Sequence, residues 1–213
     1  MQLSPQELEQ FDRDGFLVFP DLFSRNEVAI LRREVARLSQ VQGDEVVREH
    51  TGGVRTIFRV HESDGPTRSK PFRALVHTPR VLRSVQQVLK DDAVYVYHTK
   101  INTKPAIEGT VWQWHQDYGS WKRDGCARPD MATFNLMMTD TTEMGGALYI
   151  IPGSHKLGRI EPVFDGIDGV QVLGHPQAAH DRGAEELARA GCRHRTVRHL
   201  RAVPLQRAAR FGP

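Results

Sequence analysis

The sequence lacks the features that mark membrane and secreted proteins. It has no apolar run of about 18 residues, the length that a membrane-spanning helix needs. Residues 1–9 are polar and lack the charged-then-apolar pattern of a signal peptide. The two cysteines, Cys126 and Cys192, are too few for a disulfide framework, and neither belongs to a Cys-x-x-Cys pair. We therefore expect a cytoplasmic protein that has no membrane partner and whose cysteines are free thiols.

Acidic residues are absent from the C-terminal tail, residues 189–213, which contains seven arginines. The whole chain has a net charge of only +3, so this basic character is local. A basic segment can contact nucleic acid or an anionic surface. The tail lacks interleaved aromatic residues and a recognisable binding module, and we therefore expect no nucleic-acid partner.

The chain is long enough for one packed domain, with 213 residues of which 39% are hydrophobic. Helix-start signals, two of them capping boxes, occur at Ser4-Pro5-Gln6-Glu7, Ser24-Arg25-Asn26-Glu27 and Thr78-Pro79. We expect the first two helices to end near Asp12 and Gln40. Residues 41–70 are polar and interrupted by glycines, which is typical of a loop, with one possible strand at 54–60.

Several short segments are rich in β-branched and aromatic residues and are bounded by turn signals. These predicted strands cover residues 16–20, 54–60, 94–102, 131–138 and 147–151. On the strand 94–102, the even-numbered residues His98, Lys100 and Asn102 share one face. Their polar character indicates either a face that lines a cavity or the water-exposed side of an antiparallel strand.

The aromatic stretch Trp112–Trp121 contains His115 and Asp117, two residues apart. In a strand, residues i and i+2 point to the same face, so we expect these two side chains to hold one metal ion. A second histidine from elsewhere would complete the 2-His-1-carboxylate facial triad of non-haem Fe(II) oxygenases. The alternative is a polar strand pair that faces solvent.

A particular order of motifs follows this pair. Downstream of Asp117 come Asp124-Gly125, the alternating run Met131–Met138 and the segment Gly145–His155, which ends in Pro-Gly-Ser-His. This order resembles the phytanoyl-CoA dioxygenase family, especially its ectoine hydroxylase-like branch, over residues 5–165. The resemblance implies an α+β protein with a mainly β core, a double-stranded β-helix (jelly roll, cupin-like) with supporting N-terminal helices.

The same resemblance implies roles for five further residues. Asn102 matches a position that contacts 2-oxoglutarate, and Trp112 matches an aromatic residue beside this co-substrate. Ser120 and Trp121 match a Thr-Trp pair near the substrate. His98 corresponds to a substrate-contacting glutamine in the ectoine hydroxylase-like branch, and this departure argues against ectoine itself. The family counterpart of His155 is not a metal ligand, so we expect a surface or capping role for this residue.

Members of the resembled family usually carry a second metal histidine and a downstream arginine that binds the far carboxylate of 2-oxoglutarate. Among the four histidines of residues 166–213, only His199 has an arginine at the family-like spacing, namely Arg210. We assign His199 as the third metal ligand and Arg210 as a co-substrate residue. Residues 189–213 lack the apolar alternation of a strand, so we expect missing or altered closing strands.

We accordingly expect a dioxygenase-like jelly-roll domain at residues 1–165 and an atypical or truncated basic segment at 166–213. The resemblance implies an Fe(II)- and 2-oxoglutarate-dependent dioxygenase that uses O2 to hydroxylate a small-molecule substrate and converts 2-oxoglutarate to succinate. One alternative is a catalytically silent relative that acts as a binding or regulatory protein. Another is a cupin-like metal isomerase or hydrolase that needs no 2-oxoglutarate.

Overall fold

A computed structural model of the chain describes residues 1–104, 115–142 and 147–160, together with short strands at 162–164, 171–173 and 201–203. Its helices are α1 (Pro5–Asp14), α2 (Arg25–Leu38), α3 (Lys70–Val76), α4 (Pro79–Leu89) and α5 (Asp117–Arg123). Its strands are β1 (Val46–Arg48), β2 (Val54–Phe58), β3 (Lys100–Asn102), β4 (Thr133–Asn135), β5 (Pro162–Phe164), β6 (Gln171–Leu173) and β7 (Arg201–Val203). Within the described residues, no helix is long and apolar enough to cross a membrane.

The two predicted capping boxes are confirmed at α1 and α2. The backbone N–H of Glu7 donates to the Ser4 hydroxyl over 3.2 Å, and the Ser4 N–H donates to the Glu7 carboxylate over 2.7 Å. Ser24 and Glu27 form the same reciprocal pair at 3.3 and 2.8 Å. Each box satisfies backbone donors that a helix N-terminus otherwise leaves without partners.

Helix α3 follows the stretch that we expected to form a loop. Ser69 caps it by accepting a hydrogen bond from the Phe72 N–H, and Phe72 is buried in the core. The expected loop also contains a second strand, β1, in addition to β2. A strand of three residues shows no recognisable period, which explains why the sequence pattern did not indicate β1.

Strands β1, β2 and β3 form an antiparallel sheet in that order. In the register of β2 with β3, Ile57 lies opposite Ile101, and both side chains are buried. They pack in one apolar cluster with residues from α2, β1 and α3 and from the loop after β2: Leu31, Leu38, Val46, Val60 and Phe72. Helices α2 and α3 therefore cover one face of the sheet.

The predicted strand at 94–102 is wrong for residues 94–99, because pairing begins at Lys100. The reason lies on β2, whose last paired residue is Phe58. The next residue, Arg59, has a φ angle of 62°, which turns the chain out of the ladder. Tyr95 and Tyr97 are consequently exposed in an irregular segment.

The other predicted strands are also shorter than expected. Of residues 131–138, only 133–135 form a strand, and residues 16–20 contain a single bridge at Val18. Residues 147–151 are described but form no strand. Periodicity indicates which residues can pair, whereas pairing itself needs a neighbouring strand from a distant part of the chain.

The C-terminal part contains paired strands that the composition of the tail did not indicate. β5 and β6 pair antiparallel, and β7 pairs antiparallel with β4, with Arg201 opposite Asn135. Residues 201–203 therefore form a paired strand in a tail whose lack of apolar alternation led us to expect missing or altered closing strands. Cys126 is a free thiol, as expected, while Cys192 lies outside the described residues.

Candidate active site at His115 and Asp117

The imidazole Nε2 of His115 lies 3.1 Å from the carboxylate Oδ1 of Asp117. The expected strand is wrong for the described part of this motif, because Asp117 is the first residue of α5 and Gln116 is its N-cap. The predicted proximity of the two side chains is nevertheless found. The two side chains come together because the chain enters helix α5 at Asp117, and not because residues alternate along a strand.

The local sequence explains why a helix begins at this point. Asp117 places a carboxylate in the first turn of α5, and Lys122 and Arg123 place cations in the last turn, which suits the helix dipole. Tyr118 is buried, and its hydroxyl donates to the carbonyl oxygen of Ala127 over 3.1 Å. This contact fixes the helix that carries Asp117.

The spacing of the two donor atoms suits a shared metal ion. Two ligand atoms bound to one ion at about 2.1 Å and at right angles lie roughly 3.0 Å apart, close to the separation of His115 and Asp117. An imidazole nitrogen and a carboxylate oxygen are also two of the three ligand types in a facial triad. In the described part of the chain, no group of three or more His, Cys, Asp or Glu residues could hold a metal ion.

Charges around Asp117 keep its carboxylate ionised. Burial acts to raise the pKa of Asp117, but the hydrogen bond with His115 and the positive charge of Lys100 outweigh burial, so the pKa lies below its usual range. An ionised carboxylate is the form that binds a metal ion. Lys100 thus lies close enough to act electrostatically on the candidate metal pair.

Gln116 lies between the two candidate ligands, and its side chain forms hydrogen bonds with a segment far along the chain. Its side-chain amide donates to the Gly158 carbonyl oxygen over 2.8 Å, and its side-chain oxygen accepts from the Ile160 N–H over 2.9 Å. Both polar groups of the amide are therefore used. The motif suggested no role for Gln116, because its partners lie more than forty positions away.

Three aromatic rings meet beside this pair. The centroids of His98 and Trp121 lie 5.9 Å apart, and Tyr97 lies 5.9 Å from Trp121 and 6.0 Å from His98. The structure therefore brings together the predicted substrate residues His98 and Trp121, and it adds Tyr97. Burial and the charge of Lys100 lower the pKa of His98, which favours a neutral imidazole.

Of the remaining predicted site residues, the structure describes Asn102 and Ser120. Asn102, on β3, accepts a hydrogen bond from the Thr56 hydroxyl over 3.3 Å. Lys100 and Asn102 are exposed while Ile101 is buried, as expected for one polar and one apolar face. Ser120 lies on α5 between Asp117 and Trp121. Trp112, His199 and Arg210 lie outside the described residues.

His155 caps a helix, in agreement with the expectation. Its Nε2 lies 3.0 Å from the carbonyl oxygen of Asp12, so this nitrogen carries the proton and donates to the last turn of α1. The N–H of Gly153 donates to the Asp14 carbonyl oxygen over 2.9 Å. The Pro-Gly-Ser-His turn therefore contacts the C-terminal end of α1.

Comparison with known proteins identifies the family. A sequence model described as Phytanoyl-CoA dioxygenase (PhyH) matches residues 11–187. The chain belongs to the phytanoyl-CoA dioxygenase family. The match runs past residue 165, where the similarity of motifs fades.

Curated relatives of this family member include a dioxygenase and a hydroxylase. An ectoine dioxygenase from Nocardia farcinica is 35% identical over 161 residues, which are 73% of this chain and 52% of the relative. An L-proline trans-4-hydroxylase from Streptomyces griseoviridis is 35% identical over 154 residues, or 71% of this chain and 55% of the relative. The chain thus spans about half the length of these relatives.

Solved structures show a similar fold. EctD from S. alaskensis, crystallised with 2-oxoglutarate and 5-hydroxyectoine, has a TM-score of 0.70 and 24% sequence identity, and the alignment covers 96% of this chain and 69% of EctD. EctD from the same source with bound Fe has a TM-score of 0.68. This phytanoyl-CoA dioxygenase family member therefore shares its mixed helix-and-sheet fold with EctD.

Proposed function

We propose that this chain is an Fe(II)- and 2-oxoglutarate-dependent dioxygenase that hydroxylates a small molecule. The observation that carries the proposal is the 3.1 Å separation of His115 Nε2 and Asp117 Oδ1, which suits two ligands of one metal ion. Family membership and the curated relatives support the same reaction class. The similarity to EctD with bound Fe and with 2-oxoglutarate supports the choice of metal and co-substrate.

The proposal includes the architecture and the location of the protein. Residues 1–165 would form a double-stranded β-helix, or jelly-roll, domain, and residues 166–213 its basic C-terminal segment. The antiparallel pairing of β4 with β7 supports this arrangement, because it joins the middle of the chain to its last part. We assign the protein to the cytoplasm.

Each candidate residue has a defined part in this proposal. His115 and Asp117 hold the iron, and His199 is the third ligand. Asn102, Trp112 and Arg210 bind 2-oxoglutarate; for Arg210, a guanidinium is the natural bidentate partner of the far carboxylate. When bound, iron and 2-oxoglutarate would supply the oxidising chemistry, in which 2-oxoglutarate is decarboxylated to succinate and CO2 and the two atoms of O2 enter succinate and the hydroxylated substrate.

The protein's own contribution is to place the substrate. His98, Ser120 and Trp121 would contact it, and the rings of Tyr97, His98 and Trp121 offer an apolar wall beside the metal pair. Because desolvation and the charge of Lys100 lower the pKa of His98, its imidazole adds a polar group without adding charge. This combination suits a small molecule with an apolar surface and a few polar groups.

The deciding experiment is an anaerobic Fe(II) titration with and without 2-oxoglutarate. We expect a weak visible charge-transfer band from the iron-2-oxoglutarate chelate in the wild type, and its loss in both His115→Ala and His199→Ala. Loss in His115→Ala alone would keep the dioxygenase and move the third ligand away from His199. No band in the wild type would contradict the proposal and favour a silent binding protein.

Succinate formation separates the dioxygenase from a metal isomerase or hydrolase. We expect O2-dependent conversion of 2-oxoglutarate to succinate, stimulated by a substrate. His155→Gln is a suitable control variant, because His155 contacts α1 and not the metal pair. A metal-dependent reaction that proceeds without 2-oxoglutarate would overturn the proposal.

A further inference from the structure

The first half of the segment 153–160 is held against helix α1. The Gly153 N–H donates to the Asp14 carbonyl oxygen over 2.9 Å, and His155 Nε2 donates to the Asp12 carbonyl oxygen over 3.0 Å. Both acceptors are main-chain oxygens of the last turn of α1, where a helix leaves its carbonyl groups without partners of its own. The start of the segment is therefore fixed to the C-terminal end of α1.

The second half of the same segment holds Gln116. The Gln116 amide donates to the Gly158 carbonyl oxygen over 2.8 Å and accepts from the Ile160 N–H over 2.9 Å. Gln116 is the N-cap of α5, so it lies directly before Asp117 and directly after His115. The position of Gln116 therefore determines where the backbone of the metal pair lies.

One short helical turn separates these two sets of contacts. Residues Ser154–Leu157 form a 3-10 helix, in which the Lys156 N–H donates to the Gly153 carbonyl oxygen over 3.0 Å. A hydrogen-bonded turn restricts the backbone dihedrals of its residues, and rigid elements of this kind transmit displacements. A shift of His155 is therefore expected to shift Gly158, three residues later.

Helix α1 itself is held by few buried contacts. None of its ten residues, all of which the structure describes, is buried. Just before the helix, the Leu3 N–H donates to the side-chain oxygen of Gln87 over 2.9 Å, which attaches the other end of α1 to α4. Elements with little buried surface open locally at a lower free energy than the core does. We therefore expect α1 to leave and rejoin the segment 153–160 without global unfolding.

We propose that α1 is a positioning element of the metal site, which keeps His115 and Asp117 in place for iron through the segment 153–160 and Gln116. This inference rests on the proposed dioxygenase function. It makes the affinity for Fe(II) depend on the docking of α1, although α1 supplies none of the proposed ligands. It also gives a reason why both polar groups of the Gln116 amide bind a segment that is attached to α1.

Two substitutions of His155 test the contact with α1. His155→Ala removes the donor to the Asp12 carbonyl oxygen. In His155→Gln, the amide nitrogen takes the place of Nε2 and keeps this donor. In anaerobic titrations we expect about fivefold weaker Fe(II) binding in His155→Ala and the wild-type affinity in His155→Gln.

Trypsin cleavage after Arg13 reports the release of α1 without any metal. Arg13 lies in the last turn of α1, and cleavage there requires the helix to open. We expect faster cleavage after Arg13 in His155→Ala than in the wild type. Cleavage after Arg55, within β2, is the internal control, because it becomes faster only when the core unfolds.

Coupling between two sites is reciprocal, and this reciprocity gives a second test. If docked α1 favours Fe(II) binding, then bound Fe(II) favours docked α1 by the same factor. Saturating Fe(II) with 2-oxoglutarate, added without oxygen, should therefore slow cleavage after Arg13 about fivefold in the wild type. Gln116→Glu interrupts the series of contacts in its middle, so at saturating Fe(II) this variant should lose the protection of Arg13.

The outcomes separate this inference from the proposed function. Unchanged Fe(II) affinity in His155→Ala, or an equal loss in His155→Ala and His155→Gln, would overturn the inference alone. The same holds if cleavage after Arg13 and after Arg55 rises equally, because His155 would then support only the overall fold. A wild type that binds no Fe(II) would contradict the proposed function and this inference together.

Discussion

The imidazole of His155 packs directly over Gly15, the C-cap of α1. A Cβ atom built on Gly15 would lie 2.3 Å from the His155 Nδ1, a distance at which atoms overlap. Gly15 also has a φ angle of 82°, which favours glycine. Two residues 140 positions apart in the sequence therefore constrain each other at the end of one helix.

We expect Gly15→Ala to destabilise the protein by about 3 kcal/mol, because it adds a steric clash with His155 to the cost of a left-handed alanine. Gly52→Ala is the matched control: Gly52 has a φ angle of 88°, and a Cβ atom added there would have no other atom within 4 Å. Gly52→Ala should lower the free energy of unfolding by about 1 kcal/mol. Urea unfolding measures both changes, and equal losses would show that His155 exerts no constraint.

Glu27 and Arg80 join α2 to α4, and this pair makes stability depend on pH. The hydrogen bond from Arg80, together with those from Ser24, lowers the pKa of Glu27 to about 2 from an ordinary value of 4.5. Since the folded-state pKa is the lower one, the stabilisation is complete above pH 4.5 and is lost as the pH falls towards 2. The pair is partly exposed to solvent, so we expect a contribution of about 1 kcal/mol.

Glu27→Gln should therefore lower the free energy of unfolding at pH 7 and flatten its dependence on pH between 4.5 and 2. Glu7→Gln removes the equivalent capping carboxylate from α1, where Arg80 is not involved, and it reports the effect of the cap alone. Unfolding measured across this pH range tests the expectation. Identical pH profiles for the two variants would exclude a special role of Arg80.

Gln116→Glu should weaken Fe(II) binding by about tenfold, the effect expected when a residue that orients metal ligands is lost. Glutamate keeps the acceptor for the Ile160 N–H but loses the donor to the Gly158 carbonyl oxygen, which then faces a carboxylate. Gln86→Glu is the control, because the Gln86 amide donates to the Asp92 carbonyl oxygen on an exposed surface. Equal Fe(II) affinity in both variants would refute the orienting role.

Tyr97→Ala should raise KM for the substrate about tenfold, because Tyr97 packs against both Trp121 and His98. The Fe(II) affinity should not change, since the ring supplies no metal ligand. Tyr95→Ala is matched in size and lies two residues away, with an exposed fraction of 61%. A KM effect of the same size in Tyr95→Ala would mean that the segment, and not the Tyr97 ring, matters.

Local signals predicted α1, α2 and α4 but neither α3 nor α5, and they predicted the strands poorly. A capping box is complete within four residues, so Ser4 and Ser24 identify the starts of α1 and α2 from the sequence alone. The length of β3 is instead decided by Arg59 on the neighbouring strand, where the left-handed backbone ends the ladder. No pattern within residues 94–102 contains that information.

In the candidate site, too, the sequence predicted the features that local spacing decides and missed those that depend on distant residues. The spacing of His115 and Asp117 predicted their proximity, although a helix start replaces the expected strand. The contacts of Gln116 could not be predicted, because its partners are brought close only by folding. The resemblance to the phytanoyl-CoA dioxygenase family supplied His98 and Trp121, whose rings are now found in contact.

The bond from the Ile160 N–H to Gln116 gives this protein a built-in reporter. Ile160 lies 44 positions after Gln116, yet its amide hydrogen is held by the residue between the two candidate metal ligands. An amide proton is visible by NMR and exchanges with solvent when its hydrogen bond opens. The chemical shift and exchange rate of the Ile160 amide can therefore report whether the segment that carries His115 and Asp117 is held in place. This measurement needs neither a substrate nor turnover.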